Sequence, residues 1–375
     1  MLDRILLFPY TISLAIRNAF YNKGGKRVRK AEVPTICVGN VTVGGTGKTP
    51  HVEMILRMLM QTEKWGAANL AVLSRGYKRR SKGFRIVTPE SGTAVAGDEP
   101  LQIKKKFLHV TVAVDKNRIH GCSMLCHPDQ LNLRGKGRRL RYPECPPSDL
   151  IILDDAYQYR KLKADLNIVL VDYNRPVQKD KLLPLGSLRD LPSRVYDADI
   201  IIVTKCPYSL EDEEKQLFLE DMGIKEFDPV GCQGVNPSKK YQHVFFTQVR
   251  YLKPVPMYST SDPRYIYSKN LILFTGIAAD KALKYYLSDS YHFVSHRAFP
   301  DHHRFSQKDF RAILRDVRKH PTSAVLTTEK DAQRVLDIDG MPETLRERMF
   351  YIPIETFFTS PREEEVFKER LEKSF

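Results

Sequence analysis

Residues 33–50, VPTICVGNVTVGGTGKTP, decide the fold of this chain. An apolar, β-rich run at Val33–Val38 leads into a glycine-rich loop, and the apolar-periodic segment HVEMILRMLM follows. Strand, glycine-rich loop and helix in this order are typical of a phosphate-binding loop (P-loop), because small residues let backbone N–H groups surround phosphate oxygens. The helix dipole favours the same negative charge. This stretch therefore predicts the binding site of a nucleotide phosphate.

The loop pattern also assigns roles to single residues. In G-x-x-x-x-G-K-[ST] the lysine, here Lys48, reaches the terminal phosphates, and the hydroxyl of Thr49 binds Mg²⁺. Thr42 stands where the strict pattern has glycine, which is a departure from it. The residues expected to line the nucleotide are Thr42, Val43, Gly44, Gly45, Thr46, Gly47, Lys48 and Thr49.

Length and composition limit the class of protein. A chain of 375 residues exceeds the usual size of one hydrophobic core, so two domains are expected. The content of 42% hydrophobic and 28% charged residues is that of a soluble globular protein. A formal net charge of +15 predicts an acidic partner, such as nucleic acid, an anionic membrane surface or a phosphorylated substrate. Charge alone does not choose among these partners.

The six cysteines form no C-x-x-C pair, which argues against a disulfide framework or a zinc ribbon. A metal site made from Cys122, Cys126, His127 and Cys145 is disfavoured by their irregular spacing. A reducing compartment is the simpler interpretation.

The N-terminal apolar segment is Ile5–Ile16, which contains Pro9. A membrane-spanning helix needs about 20 apolar residues, so this segment is too short. Two interpretations are open: an interfacial anchor on an anionic leaflet, or a helix packed on the first domain. The basic residues that follow suit the first interpretation, but the residues alone do not choose between the two; these residues are Arg17, Lys23, Lys26, Arg27, Arg29 and Lys30.

Three further apolar segments, DLIILDD, DLNIVLVD and ADIIIVTK, have nearly continuous Val, Ile and Leu runs. Such runs indicate strands buried on both faces, and with intervening helices they predict an α/β fold with a doubly wound, mostly parallel sheet. Ligands of such sheets bind at the carboxyl ends of the strands. The candidate site residues at those ends are Asp115, Asp154, Asp155 and Asp172.

The chain is predicted to divide into four parts. These are an N-terminal helix at 1–30, a P-loop domain at 31–210, a connector at 211–260 with a short antiparallel β linker, and a smaller α/β domain at 261–375. Residues 121–147, which contain RGKGRRLRYPECPP, are expected to form an irregular basic insertion.

Several of these polar residues suit phosphoryl transfer. Asp154 and Asp155 close a buried strand after a phosphate loop, where a Mg²⁺-associated acid is expected. Asp115 is either a catalytic base or an ordinary helix-capping residue. His302, in the turn FPDHH, either lies on the surface or orients a base of the first domain. Arg189 either binds phosphate bidentately or forms a surface salt bridge.

Together, the motifs resemble those of the tetraacyldisaccharide 4'-kinase family, the lipid A kinases of Gram-negative bacteria. The resemblance rests on VGNVTVGGTGKTP, SRGY, GDEP, DDAYQYR, LLPLGSLRD, FPDHH and TTEKDA, in order from Val38 to Ala332. It implies transfer of the ATP γ-phosphate to the 4'-hydroxyl of a tetraacyl glucosamine disaccharide 1-phosphate, forming lipid IVA. It also implies Mg²⁺, two α/β/α domains joined by a two-stranded β linker, and work at the cytoplasmic face of the bacterial inner membrane.

The resemblance assigns roles by position. Asp115 matches the catalytic base and His302 its partner, while Asp154 and Asp155 match the metal-linked acids. The matches to substrate-binding, cleft-lining positions are Tyr77, Gln158, Tyr159, Arg189 and Asp190. Thr42 becomes a family trait, and the N-terminal helix becomes an interfacial anchor. No nucleic acid is expected as a partner, and no oligomer is required.

Two departures from the family pattern stand out. The usual DDGFQHR is DDAYQYR here, so Tyr159 replaces a histidine, and Asp190 replaces the usual glutamate after the arginine. Tyr159 keeps a hydrogen-bonding tip without imidazole chemistry, and Asp190 keeps the charge on a shorter side chain.

Two alternatives come from other classes. A P-loop GTPase or metallochaperone-type NTPase is disfavoured because Thr204-Lys205-Cys206-Pro207 lacks the aspartate of the guanine-reading [NT]KxD pattern. A nucleic-acid or membrane-binding module would use the net charge but leaves the paired strand-end acids unexplained.

Overall fold

The structure is a computed structural model that describes residues 2–22, 28–132 and 143–375. Its strands are β1 (Thr35–Gly39), β2 (Leu70–Ser74), β3 (Arg85–Val87), β4 (Thr111–Val114), β5 (Leu150–Asp154), β6 (Leu166–Asp172), β7 (Ile200–Thr204), β8 (Lys225–Asp228), β9 (Gln233–Val235), β10 (Tyr241–Tyr251), β11 (Val255–Pro256), β12 (Asn270–Thr275), β13 (His292–Ala298), β14 (Ala324–Thr328), β15 (Met349–Ile352) and β16 (Ile354–Phe358).

Helices cover both ends of the chain and separate most of the strands. They are α1 (Leu2–Asn22), α2 (Lys48–Met60), α3 (Thr93–Ala96), α4 (Asp98–Lys106), α5 (Arg118–Cys126), α6 (Asp212–Asp221), α7 (Arg264–Tyr267), α8 (Lys281–Ser288), α9 (Gln307–Lys319), α10 (Glu329–Leu336), α11 (Glu343–Arg346) and α12 (Pro361–Lys373). Short 3₁₀ helices lie at Pro128–Asn132, Val177–Lys179 and Pro192–Asp197.

The larger sheet has the strand order β3-β4-β2-β5-β1-β6-β7-β10-β9-β8, and β16 pairs with β10. Its central strands, from β4 to β10 in this order, are parallel. From β1 the chain passes to β2 and β4 on one side, returns to β5 next to β1, and then passes to β6 and β7 on the other side, which is a doubly wound arrangement. The predicted fold class is confirmed.

The sheet is covered by helices on both faces because its strands are apolar on both faces. Along β1, Ile36 and Val38 pack with α2 and α12, whereas Cys37 packs with α1 and α5 on the other side. Every residue of β1, β2, β5 and β7 is buried. The continuous apolar runs of the sequence have this physical cause.

The smaller sheet has the order β11-β15-β14-β12-β13, with β12 to β15 parallel to one another and β11 antiparallel at one edge. It is the predicted second α/β unit. The antiparallel pair of β10 and β16 links it to the larger sheet, with Thr247 opposite Phe358 and Tyr251 opposite Ile354.

Some boundaries differ from the expected ones. β10, placed in the connector, also runs parallel to β7 within the larger sheet. Residues 354–373 fall in the predicted smaller domain, yet Phe358, Phe367 and Leu371 pack into the core of the larger sheet. The start of the predicted insertion at 121–147 is helical, because α5 continues to Cys126. Residues 133–142 of that insertion lie outside the described part of the chain.

The helix α1 extends beyond the predicted apolar segment on both sides. Leu14 and Asn18 are buried against the larger sheet. The opposite side exposes large apolar side chains at every fourth position, namely Phe8, Ile12, Ile16 and Phe20. Lys23, Lys26 and Arg27 of the basic flank lie outside the described residues. Within the described residues, the helices are too short or too polar to span a membrane.

Candidate active site

The phosphate loop lies between β1 and α2, at the carboxyl edge of the larger sheet. Two of its glycines have positive φ angles, +95° at Gly44 and +85° at Gly47. Gly39 has no room for a side chain, because a Cβ there would lie 2.5 Å from the Cβ of Tyr157. Glycine is therefore required for conformation at two positions and for close packing at the third.

Asn40 supports the loop from inside. Its side-chain amide donates to the hydroxyls of Thr46 at 2.8 Å and Thr42 at 3.3 Å. The backbone carbonyl oxygen of Asn40 accepts from Gln158 Nε2 at 2.5 Å and from Arg189 Nη2 at 3.3 Å. Asn40 is fully buried, so these bonds hold the loop in shape from the protein side. The sequence-based prediction did not include Asn40, although the residue directly follows a strand.

Lys48 begins α2 and faces the carboxylates of β5. Its Nζ atom lies 3.7 Å from Asp155 Oδ1 and donates to Asn40 Oδ1 at 3.4 Å. Burial lowers the pKa of Lys48, and the charge of Asp155 opposes that shift. The amine is thus held at the loop by oxygen atoms, as a phosphate-binding lysine requires.

Asp154 and Asp155 have different environments although they are adjacent. Ser74 Oγ at the end of β2 donates to Asp154 Oδ2 at 2.9 Å. Burial, followed by the charge of Asp155, raises the pKa of Asp154 to about 6. Burial acts on Asp155 in the same direction, but Lys48 and Arg189 outweigh it and lower the pKa of Asp155.

The two acids therefore suit different roles. Asp155 has a left-handed backbone with φ 51°, and Arg189 binds both of its carboxylate oxygens, one of them at 3.2 Å. Among the described residues, no lysine or arginine lies within ion-pair distance of Asp154. Asp154 is the more available of the two acids, and Asp155 aligns Lys48 and Arg189.

The donor set fits Mg²⁺. Mg²⁺ prefers oxygen ligands and takes one or two protein carboxylates together with phosphate oxygens and water. The Asp154 carboxylate and the Thr49 hydroxyl supply that kind of donor on β5 and α2. In the part of the chain that the structure describes, no three His, Cys, Asp or Glu side chains form a closed metal cage.

Arg189 belongs to a segment that runs beside the phosphate loop. Val43 N donates to Ser187 O at 2.7 Å, and Arg189 N donates to Val41 O at 2.8 Å. These bonds place the guanidinium on Asp155 and Asn40, inside the site and not in a surface salt bridge.

Asp190 points away from this edge. Its carboxylate is fully buried and accepts from Arg17 at 2.7 Å and from Asn18 at 3.0 Å, both on α1. The cleft-lining position expected for Asp190 is not the one it occupies in the structure; it attaches the N-terminal helix instead.

Asp115 follows β4, and two strands, β2 and β5, lie between β4 and the strand that carries the phosphate loop. It is 4% exposed, and its Oδ1 atom accepts from the backbone N–H of Asn117 at 2.9 Å. Its Oδ2 atom lies 2.6 Å from Nδ1 of His120, a residue that the sequence-based prediction did not single out.

His302 lies elsewhere. Its Nδ1 is 3.1 Å from Asp98 Oδ2, and its Nε2 is 3.1 Å from Lys330 Nζ. Its ring meets the ring of Tyr77 edge-on, with 5.2 Å between the ring centroids. Among the described residues, the hydrogen-bond partners of the Asp115 carboxylate are Asn117 and His120. The resemblance implied that His302 is the partner of Asp115, but the structure does not bring the two side chains into contact.

His302 belongs to the junction between the two sheets, which is formed by Asp98 and Glu99 of α4 with His302, Lys330 and Arg334. Arg334 Nε lies 3.1 Å from Asp98 Oδ2, and Lys330 Nζ lies 3.0 Å from Glu99 Oε1. The motifs GDEP, FPDHH and TTEKDA meet here.

The remaining predicted residues occupy varied positions. Tyr77 is 57% exposed beside His302. Tyr159 donates to Asn117 Oδ1 at 3.0 Å, so it lies close to Asp115. Asp172 forms an ion pair with Lys205 at 2.6 Å, which indicates a structural role at its strand end.

His51 is another residue that the sequence-based prediction missed. It is buried, with Nδ1 2.7 Å from Gly47 O and Nε2 2.9 Å from Thr247 Oγ1. Burial lowers the pKa of His51 to about 4, so the ring is neutral and joins the phosphate loop to β10.

A cavity of about 790 Å³ lies away from the loop, beside Tyr157, Arg160 and Arg194.

A phosphate loop with its lysine, paired strand-end acids and an arginine define a P-loop nucleotide-dependent phosphotransferase. The chain matches the family model described as LpxK, tetraacyldisaccharide-1-P 4'-kinase, over residues 2–375. It belongs to that family.

Individual relatives agree with this assignment. The tetraacyldisaccharide 4'-kinase of Phocaeicola vulgatus is 36% identical over 361 residues, which is 95% of this chain and 90% of the relative. That of Flavobacterium johnsoniae is 36% identical over 95% of this chain and 93% of the relative. The crystal structure of LpxK from Aquifex aeolicus in complex with ATP has a TM-score of 0.69 and 25% identity, covering all of both chains.

Proposed function

We propose that this protein transfers the γ-phosphoryl group of ATP to the 4'-hydroxyl of a tetraacyl glucosamine disaccharide 1-phosphate, in lipid A biosynthesis. The observation that carries the proposal is the assembly of Lys48, Asp154, Asp155 and Arg189 around the phosphate loop, with Asp115 at the end of β4 on the same sheet edge. Family membership supports the substrate pair.

The side chains divide the work of the transfer. The backbone N–H groups of the loop hold the phosphates of ATP, and Lys48 stabilises the charge that develops on the transferred group. Arg189 lies within reach of the same phosphates through its place on Asn40 and Asp155. Asp115 accepts the proton of the attacking hydroxyl, which makes the oxygen a better nucleophile.

Thr49 and Asp154 are the residues that would hold Mg²⁺, which when bound neutralises charge on the β- and γ-phosphate oxygens. Asp154 would bind the metal in its ionised form, and Ser74 orients its carboxylate through the 2.9 Å hydrogen bond. Asp155 acts beside it by fixing Lys48 and Arg189.

The second unit closes the site through the junction. His302 contacts both Asp98 and the exposed Tyr77, which belong to the first unit. We therefore place Tyr77, Gln158 and Tyr159 along the path of the disaccharide. His302 contributes to catalysis by holding the second unit against that path.

The acylated substrate requires a lipid surface, and α1 supplies a face for it. Phe8, Ile12, Ile16 and Phe20 are 62%, 40%, 51% and 53% exposed on one side of the helix. An exposed apolar stripe next to basic residues suits the interface of an anionic bilayer. We propose that α1 lies in the cytoplasmic face of the inner membrane and that Asp190 fixes its position on the enzyme.

The test is to incubate the protein with Mg²⁺, a tetraacyl disaccharide 1-phosphate, and either ATP or GTP. Mass spectrometry should show one added phosphate on the lipid with ATP, and the same disaccharide without acyl chains should react more slowly. Hydrolysis of GTP in preference to ATP, with an unchanged lipid, would support the GTPase alternative instead.

A further inference from the structure

We infer that Lys330 is a positioning residue that sets the tautomer and the orientation of His302. Its ammonium group donates a hydrogen bond to Nε2, so the proton of the neutral ring stays on Nδ1 and faces Asp98. The inference rests on the proposed function, because its effect on turnover is measured with that reaction. It starts from two contacts of one ring: Nε2 lies 3.1 Å from Lys330 Nζ, and Nδ1 lies 3.1 Å from Asp98 Oδ2.

The chemistry of the two partners assigns the proton. An ammonium group only donates, so the ring nitrogen that faces Lys330 must accept. A carboxylate only accepts, and Asp98 Oδ2 also forms an ion pair with Arg334 at 3.1 Å, so the nitrogen that faces Asp98 must donate. A doubly protonated ring would direct an N–H group at the ammonium with no lone pair between them. The ring of His302 is therefore neutral, with its proton on Nδ1.

Lys330 is held in place by an acid of the first unit. Its Nζ atom lies 3.0 Å from Glu99 Oε1, and the side chains of Lys330 and Glu99 are 26% and 22% exposed. The ammonium thus bridges the Glu99 carboxylate and the His302 ring. Two acids of α4 and two basic side chains of the second unit alternate along this array, which crosses the junction and fixes the ring from both nitrogens.

Local structure explains why Lys330 reaches the ring. Thr328 caps α10 by accepting a hydrogen bond from the backbone N–H of Asp331, so Lys330 lies in the first turn. Side chains of a helix lean toward its N-terminus, which directs Lys330 past the helix end. The turn of His302 is attached to the same helix, because its backbone N–H donates to Gly276 O at 3.1 Å and the Gly276 N–H donates to Asp331 Oδ2 at 2.9 Å.

The other groups around the ring leave Nε2 to Lys330. Asp301 Oδ2 lies 3.8 Å from Nε2, which is too far for a hydrogen bond, and its side chain is 40% exposed. Tyr77 meets the imidazole ring edge-on. Among the described residues, Lys330 is thus the hydrogen-bond partner of Nε2. Without its ammonium, Asp301 would be the nearest charged group, and a carboxylate there favours a proton on Nε2.

The tautomer matters because the ring joins the two units. With the proton on Nδ1, the ring donates to Asp98 and holds the second unit against α4, as the proposed function requires. A neutral ring with its proton on Nε2 would instead direct a lone pair at the Asp98 carboxylate, and the hydrogen bond between the units would be lost.

The experiment detects the proton on His302 directly. Nitrogen-15 NMR of the full-length enzyme with labelled histidine distinguishes protonated from unprotonated ring nitrogens, and the variant His302→Gln identifies the signals of His302. Lys330→Met removes the donor, whereas Lys330→Arg keeps a cation with N–H groups. Lys284→Met is the matched control, because Lys284 lies 3.8 Å from Asp280, which contacts His296 within the second unit.

We expect a proton on Nδ1 of His302 and none on Nε2 in the wild type. Lys330→Met should place a proton on Nε2 in a large fraction of molecules. It should also lower kcat by roughly 3- to 10-fold with little change in KM for ATP, since the phosphate loop is unaltered. Lys330→Arg should recover the wild-type signals and most of the turnover, and Lys284→Met should match the wild type. Thermal unfolding shows which variants are folded, and Lys330→Leu replaces the methionine variant if the latter is not.

Three results would overturn the inference: a protonated Nε2 in the wild-type enzyme, His302 signals that Lys330→Met leaves unchanged, or equal losses of turnover in Lys330→Met and Lys330→Arg. A wild-type enzyme that shows the expected His302 signals but leaves the lipid unphosphorylated would instead contradict the proposed function. The two failures are therefore distinguishable.

Discussion

The phosphate-loop edge and the junction between the two sheets are both built from recognisable motifs, but they are assembled differently. At the edge, the parallel neighbours β1 and β5 bring Lys48 and Asp154 together, and a segment hydrogen-bonded to the phosphate loop adds Arg189. At the junction, Asp98 contacts His302 and Arg334, which come more than 200 residues later in the sequence. Sheet topology determines the first region, and packing between units determines the second.

The two regions also differ in their electrostatics. At the phosphate-loop edge, the cations Lys48 and Arg189 lie beside the carboxylate of Asp155, where the anionic phosphates of ATP bind. Beside the junction, Lys106 is shared by two buried carboxylates, at 2.8 Å from Glu53 and 2.7 Å from Glu329. Burial raises the pKa of Glu329 to about 7, although Lys106 opposes the shift. We therefore expect removal of a catalytic group at the edge to lower mainly the turnover. We expect a change at the junction to lower the stability of the folded protein as well.

The largest effect is expected at the edge, from Asp115→Asn. Loss of a general base lowers kcat by roughly 10²- to 10⁴-fold, while binding of ATP and the unfolding temperature should stay close to the wild type. Steady-state kinetics and calorimetry measure these quantities. A variant that retains full turnover would remove Asp115 from the mechanism and would leave the edge defined by phosphate binding alone.

A smaller effect is expected at the junction, from His302→Ala. This variant breaks the contact with Asp98, so kcat should fall by about tenfold and the unfolding temperature should fall as well. His303→Ala is a suitable comparison, because His303 contacts Asp309 within its own unit at 3.1 Å. If His302→Ala matched Asp115→Asn in kcat without loss of stability, His302 would belong to the chemical site.

The smallest effect concerns pH. The pKa of Glu329 is raised from 4.5 to about 7, so the folded state binds an extra proton and loses stability as the pH rises between these values. Glu329→Gln removes this titration, so the free energy of unfolding should fall by roughly 3 kcal/mol less over this pH range than in the wild type.

Urea unfolding from pH 4.5 to 7.5 measures this difference. Glu355→Gln, in a partly exposed ion pair with Arg250, should leave the wild-type pH dependence unchanged. Identical pH profiles for the wild type and Glu329→Gln would show that the carboxyl is ionised in the folded protein throughout this range.

The sequence predicted best what depends on short-range pattern and strand direction. The glycine-rich loop, the apolar runs and the strand-end acids follow from periodicity, and the fold class they indicated is confirmed. They also named most of the residues that meet at the phosphate-loop edge, although their catalytic roles stay predictions.

Other features depend on contacts that no local pattern encodes. Asp190 follows Arg189 in the chain, yet it is fully buried against α1 because Arg17 and Asn18 provide its hydrogen bonds. The helix α12 packs on the larger sheet because Phe367 is buried among apolar side chains there. His120 was within reach of sequence reasoning, since Asn117 followed by a helix predicts a cap and places residue 120 beside it.

The central claim is that the phosphate-loop edge passes the γ-phosphoryl group of ATP directly to the lipid hydroxyl. The most direct measurement uses ATP labelled with ¹⁸O in the non-bridging γ-phosphoryl oxygens, Mg²⁺ and the tetraacyl disaccharide 1-phosphate, with Lys48→Ala as the control. The account predicts a lipid carrying one new phosphate with all of the labelled oxygens, and almost none from Lys48→Ala. Labelled inorganic phosphate with a lipid of unchanged mass would contradict it.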